Sequence, residues 1–185
     1  TAARKKLGLN PTDVILLCVG RFDPLKGLET LLDAMAYFRD HHRIRLVIVG
    51  GDGEDTPEYR LLAQKTRQLE IDEKVLFVGR IDQPNLRPYY SAADVLVMPS
   101  HYESFGMVGL EALACGRPVV STPVGAVDSL VRKARAGCVV PDLSPRALAD
   151  GIQSTISDQT IPSADLIRQS ILEYSWSNVA SVVIA

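Results

Sequence analysis

The sequence predicts an α/β protein: a Rossmann-like, doubly wound parallel sheet of about six strands, finished by C-terminal helices. Two observations predict it. Six short runs are continuously apolar but for a polar residue at one end of three of them, without the alternation of a half-exposed strand, as expected where helices cover both faces of a parallel sheet. Between them lie segments with apolar residues three and four positions apart, the spacing of a helix that buries one face.

The first strand is Val14–Val19 (VILLCV), followed by a helix with Leu28, Leu31, Leu32, Met35 and Ala36 on one face. Residues 45–49 (RLVIV) form the second strand, and Leu61, Leu62, Lys65 and Leu69 mark a weaker helical face after it. The third strand is 75–78 (VLFV), with a helix near 86–92. The fourth is 94–98 (DVLVM), with a helix over 107–115. The fifth and sixth, 118–121 and 138–140, precede helices at 127–134 and 146–156. Past Ser157 the pattern turns polar and predicts two helices that close over the sheet, with Tyr174 and Trp176 burying their rings. No repeat, low-complexity stretch or linker interrupts this order, so residues 1–185 read as one domain.

Composition excludes several classes of function. Twenty basic and 22 acidic side chains leave a net charge of −2, so no long-range basic field favours nucleic acid or a membrane surface. The longest apolar run is far too short to cross a bilayer, and the opening TAARKKLGLN lacks the apolar core of a signal peptide. Cys18, Cys115 and Cys138 read as small buried thiols of a reducing cytoplasm. A start at Thr1 without Met is consistent with a piece of a longer protein.

Ligands of open parallel sheets bind outside the carboxyl ends of the strands. After the first strand comes Gly20-Arg21-Phe22-Asp23-Pro24-Leu25-Lys26-Gly27. Glycine permits close backbone approach, and Arg21 and Lys26 place two cations before a helix N-terminus, where anions are favoured. A solvated surface loop is an equal reading of those two charges taken alone. Neither a Walker loop nor a dinucleotide glycine fingerprint is present. The acidic cluster Asp52, Glu54 and Asp55 lacks EF-hand spacing and reads as a solvated loop.

The most informative segment runs from Ser100 through Glu103, Ser104, Phe105, Gly106, Met107, Val108 and Glu111 to Gly116. Gly106 opens a helix of small residues whose N-terminal amides, about Gly106 to Gly109, form a phosphate cradle. Eight residues at helical rise separate Glu103 and Glu111 by roughly 12 Å. Glycosidase carboxyl pairs stand ~5–9.5 Å apart, so these two suit different hydroxyls of one extended ligand. His41 and His42 follow a helix as structural residues, and His101 borders the Glu103 loop.

These segments resemble the C-terminal domain of a GT-B-type glycosyltransferase of family 4. The resemblance runs from VGRFDPLKGLETLLDAM through LVIVGGDGE, VLFVGRI and ADVLVMPS to ESFGMVGLEALACGRPVVST and YSWSNVA. The Glu-x7-Glu run with its SFG insert is the specific part. The resemblance implies one lobe of a GT-B fold that binds a UDP-, ADP- or GDP-sugar, with an N-terminal acceptor domain absent from these residues. It implies a retaining hexosyltransferase as the full-length protein, with this lobe inactive alone. Arg21 and Lys26 would neutralise the leaving diphosphate, without a metal or other cofactor. Glu103 would accept from sugar hydroxyls. Gly20, Ser104, Phe105, Gly106, Met107 and Val108 would line the sugar and diphosphate, Glu111 would hold the ribose, and Arg80 and Ile81 would meet the base. Any membrane association would come only through the absent half. One departure stands out: Pro123-Val124-Gly125-Ala126-Val127-Asp128 replaces the family's Gly-Gly-x-x-Glu turn. A nucleotide-sugar-binding fragment without chemistry and an epimerase-like GT-B relative are the alternatives.

Overall fold

A computed structural model describes residues 2–175. Six strands, β1 (Val14–Val19), β2 (Ile44–Val49), β3 (Val75–Gly79), β4 (Val95–Met98), β5 (Val119–Ser121) and β6 (Gly137–Val139), form one parallel sheet in the order β3-β2-β1-β4-β5-β6. Among the described residues eight α-helices accompany them: α1 (Ala2–Lys6), α2 (Leu28–Met35), α3 (Pro57–Gln68), α4 (Arg87–Ala92), α5 (Met107–Ala114), α6 (Val127–Ala134), α7 (Pro145–Ser157) and α8 (Ala164–Ser170).

Period-two geometry sends neighbouring strand residues to opposite faces. Ile15, Leu17, Val47, Val49, Leu96 and Met98 pack against α4, α5, α6 and α8. Leu16, Cys18, Leu46, Ile48, Val95 and Val97 pack against α2, α3 and α7. Coverage of both faces explains why the central strands β1 and β4 are apolar at every position. Each fully buried leucine or isoleucine contributes about 1.5–3 kcal/mol by leaving water. Helix starts are fixed locally: Thr56 accepts from the Tyr59 amide and Ser144 from the Ala147 amide, with Pro57 and Pro145 at the first helical positions.

One expectation, the buried face of α3, changes, and the two ends of the chain add detail. On α3 the buried residues are Leu62 and Thr66; Leu61 is exposed and Lys65 Nζ reaches Asp33 Oδ2 at 2.8 Å. The polar opening forms α1, which docks on α4 through Arg4. Arg4 is buried and donates to the carbonyls of Pro11, Asp13 and Ala92 and to Asp94 Oδ2, all at 2.6–2.9 Å. Beyond Ser157 the chain forms α8 and a short 3-10 turn, Leu172–Tyr174. Trp176 and any later helix lie outside the described residues.

The sheet order reverses beside β1: the chain moves outward through β2 and β3, then returns to place β4 on the other side of β1. The loops that leave β1 and β4 therefore flank a crevice at the carboxyl edge, the usual ligand position of such sheets.

Candidate functional site

Residues 20–27 leave β1, and residues 99–106 leave β4. The two loops are pressed together. The His101 amide donates to the Leu25 carbonyl at 2.8 Å. A Cβ on Gly27 would stand 2.0 Å from the Pro99 carbonyl oxygen, and Gly27 has φ +64°, so glycine is required twice over.

Across this seam Lys26 Nζ lies 2.7 Å from Glu103 Oε1, with side chains 21% and 15% exposed. Ser100 Oγ donates to the same carboxylate oxygen at 2.8 Å. Buried Thr122, just past β5, donates to the Ser100 carbonyl at 2.5 Å. Three strand ends thus converge on one carboxylate.

Arg21 and Lys26 are not equivalent. Lys26 closes a 3-10 turn, Pro24–Lys26, whose Leu25 amide is capped by Asp23 Oδ1 at 3.0 Å. Arg21 is 84% exposed and lies 2.9 Å from Asp23 Oδ2, out of line for a hydrogen bond. Lys26 is held in the crevice by Glu103; Arg21 stands exposed at its mouth.

Gly106 opens α5 at φ +91°, and no side chain caps the helix. Its first amides are therefore available to an anion. The expected cradle is shorter by one residue, because the Gly109 amide already donates to the Gly106 carbonyl at 3.0 Å. The departing loop at 123–128 braces this corner: the Ala126 amide donates to the Phe105 carbonyl at 3.0 Å, and a Cβ on Gly106 would stand 2.2 Å from Val127. Phe105 turns its ring toward Tyr174, with ring centroids 6.3 Å apart. Ser104 and Met107 are exposed, and Val108 is half-buried against the core.

Glu111 projects from α5 with one oxygen held. Tyr90 Oη donates to Oε2 at 2.6 Å, while Gln83 Nε2 lies 3.5 Å from Oε1. Burial and then Glu111 push the Tyr90 phenol above its ordinary range, so it remains a donor. Gly20, Arg21, Gly50, Asp52, Arg80 and Ile81 line a cleft of about 270 Å³ at the ends of β1, β2 and β3. Arg80 is exposed and pairs with Asp52 at 3.6 Å. A larger cavity, about 470 Å³, lies between α2, α3 and His101. Its charged lining is Asp23, Glu29 and Glu58, a set that repels anions.

Ser100, Thr122, Tyr90 and Gln83 escaped sequence reasoning. Ser100 sits three residues before Glu103, a spacing that would have flagged it; Tyr90 and Gln83 carry no local signal.

A six-stranded parallel sheet in this order, with a crevice at the reversal of strand order, defines a Rossmann-like α/β lobe of the GT-B architecture. The chain belongs to the glycosyl transferases group 1 family, whose profile matches residues 1–172. It is 33% identical to a D-inositol 3-phosphate glycosyltransferase of Jonesia denitrificans, over 100% of this chain and 45% of that protein. Sucrose-phosphate synthase of Thermosynechococcus elongatus superposes with a TM-score of 0.86 at 36% identity, over 98% of this chain and 46% of that one. HepE of Anabaena, solved in complex with UDP, superposes with a TM-score of 0.79 at 25% identity, over 99% of this chain and 51% of that one. The same HepE has also been solved with UDP-glucose. The chain spans about half or less of the length of these relatives. Among the described residues, no helix is long and apolar enough to cross a membrane.

Proposed function

We propose that residues 1–185 are the C-terminal, donor-binding domain of a retaining glycosyltransferase that moves a hexose from a nucleotide-diphosphate sugar to an acceptor held largely by another domain. The observation that carries this reading is the Lys26–Glu103 pair at the switch point of the sheet, with the uncapped α5 beside it. A cation, open amides and a carboxylate lie on converging loops, the set that an anionic diphosphate joined to a hydroxylated sugar requires.

In this reading Lys26, joined by the exposed Arg21, neutralises the diphosphate as it leaves, and the Met107 and Val108 amides add fixed dipoles. The sugar lies toward Glu103 and Ser104. Catalysis then consists of stabilising the leaving group on the face where the acceptor attacks, and the protein's own cations supply the positive charge without a divalent metal. Glu111 takes the ribose hydroxyls. The cleft at Gly20, Arg80 and Ile81 receives the base. The UDP and UDP-glucose complexes of HepE support a sugar nucleotide as ligand. Three unpaired thiols support a cytoplasmic location.

Calorimetric titration of this chain with UDP, ADP, GDP and their hexose derivatives tests the reading. One nucleotide series is expected to bind, and absence of binding in all three would overturn it.

A further inference from the structure

The carboxylate of Glu111 is held asymmetrically. Oε2 receives a 2.6 Å hydrogen bond from Tyr90, whereas Oε1 has only Gln83 at the 3.5 Å limit, from the exposed turn Gln83–Asn85. Tyr90 is 2% exposed, and its ring belongs to the core between the sheet and α5. The anchor is therefore rigid and faces inward, and the loosely held oxygen is the one left for a ligand.

We propose that Tyr90 is a positioning residue for Glu111: its hydroxyl locks one carboxylate oxygen so that the other is presented to the ribose hydroxyls of a nucleoside diphosphate. Tyr90 thereby sets the preference for ribose over sugars lacking those hydroxyls. This rests on the assignment of the ribose to Glu111.

The physical reason is torsional. The terminal torsion of a glutamate is broad and roughly two-fold, so an unanchored carboxylate spreads over many orientations. Fixing it in advance removes an ordering cost from ligand binding. Without the hydroxyl, Oε2 would also be left half-buried without its donor, and the carboxylate would turn toward solvent or Gln83. Either outcome weakens the contact with ribose and leaves contacts to base and diphosphate untouched.

The test is the affinity ratio between a nucleoside diphosphate and its 2′,3′-dideoxy counterpart, measured for UDP, with the ADP and GDP pairs run in parallel. Three proteins are compared: the unaltered chain, Tyr90→Phe and Glu111→Gln. The unaltered chain is expected to prefer the ribonucleotide by about ten-fold or more. Tyr90→Phe is expected to lower that ratio several-fold while dideoxynucleotide affinity stays within about two-fold. A merely structural tyrosine would weaken both ligands together. If Glu111→Gln abolishes the preference and Tyr90→Phe retains it, the positioning role is overturned and the ribose assignment stands. If Glu111→Gln retains the preference, the ribose assignment itself falls, and the proposal with it. Should Tyr90→Phe fail to fold, 3-fluorotyrosine at position 90 keeps the ring and hydroxyl. Its fluorine resonance is expected to shift with UDP and not with dideoxy-UDP; equal shifts with both would overturn the proposal.

Discussion

Lys26 and Glu103 stand 77 residues apart in sequence and 2.7 Å apart in space, and they tie the loop after β1 to the loop after β4. Each satisfies the other where the crevice at the carboxyl edge of the sheet opens. A bound diphosphate would compete with Glu103 for the ammonium, and sugar hydroxyls would take over part of the carboxylate. The pair thus holds both side chains in place before ligand arrives.

Replacing Lys26 by Ala is expected to weaken nucleoside diphosphate binding by about 10- to 100-fold, the worth of a charge-assisted hydrogen bond. In the full-length protein, turnover is expected to fall by roughly 10²–10³. The partly buried Glu103 would lose its counter-charge, at a cost of about 1–3 kcal/mol in stability. Calorimetry, steady-state kinetics and urea unfolding check the three figures. Arg21→Ala, removing a solvent-exposed group, is expected to have the smaller effect on stability.

Gly50 cannot be replaced. A Cβ there would stand 1.8 Å from the Gly20 carbonyl oxygen, and its φ is +138°. Gly50→Ala is expected to cost about 3 kcal/mol or more, combining backbone strain with overpacking. Gly8→Ala is the control: φ is +68°, but its Cβ meets nothing within 4 Å. Strain alone gives about 1–2 kcal/mol there. Denaturant midpoints of the two variants check the contrast.

Arg4 holds α1 to the carboxyl end of α4. Arg4→Ala leaves the Ala92, Pro11 and Asp13 carbonyls without this donor and Asp94 without its cation. About 3 kcal/mol of stability is expected to disappear. For a domain of this size the thermal midpoint should fall by roughly 6–12 °C, measurable by calorimetric scanning.

Burial pushes the Cys18 thiol up from 9.0 to about 12. Between those values the unfolded thiol has lost its proton while the folded one keeps it, so the folded state binds more protons. Stability therefore falls as pH rises above 9, by up to ~1.4 kcal/mol per unit. The Tyr90 phenol, also pushed up by burial, adds the same sign of effect above its ordinary value of 10.0. Urea unfolding between pH 8 and 11 is expected to show this loss, with a shallower slope in Cys18→Ala.

The strands were legible because parallel strands buried on both faces need no periodicity to be recognised. Val14–Val19 agrees at both ends, and 45–49 differs from Ile44–Val49 by one residue. The loops that carry Lys26, Glu103 and Gly106 were legible as well, since each follows a strand at the carboxyl edge. What sequence concealed is pairing across the fold. Arg4 is polar and sits in a polar decapeptide, yet its partners Ala92 and Asp94 lie 88 and 90 residues away. Tyr90 reads as one aromatic of a short helix until α5 is folded against it. The unequal standing of Arg21 and Lys26 depends on the turn that buries one and exposes the other.

The central claim is that a sugar nucleotide lies across the crevice between the β1 and β4 loops. Backbone amide chemical-shift mapping of this chain with the UDP-, ADP- or GDP-hexose that binds tests it most directly. The largest changes are predicted at Gly20, Lys26, Ile81, Glu103, Met107, Val108 and Glu111. Changes confined to the opposite edge of the sheet, around Arg39, Arg67 and Lys74, would contradict it.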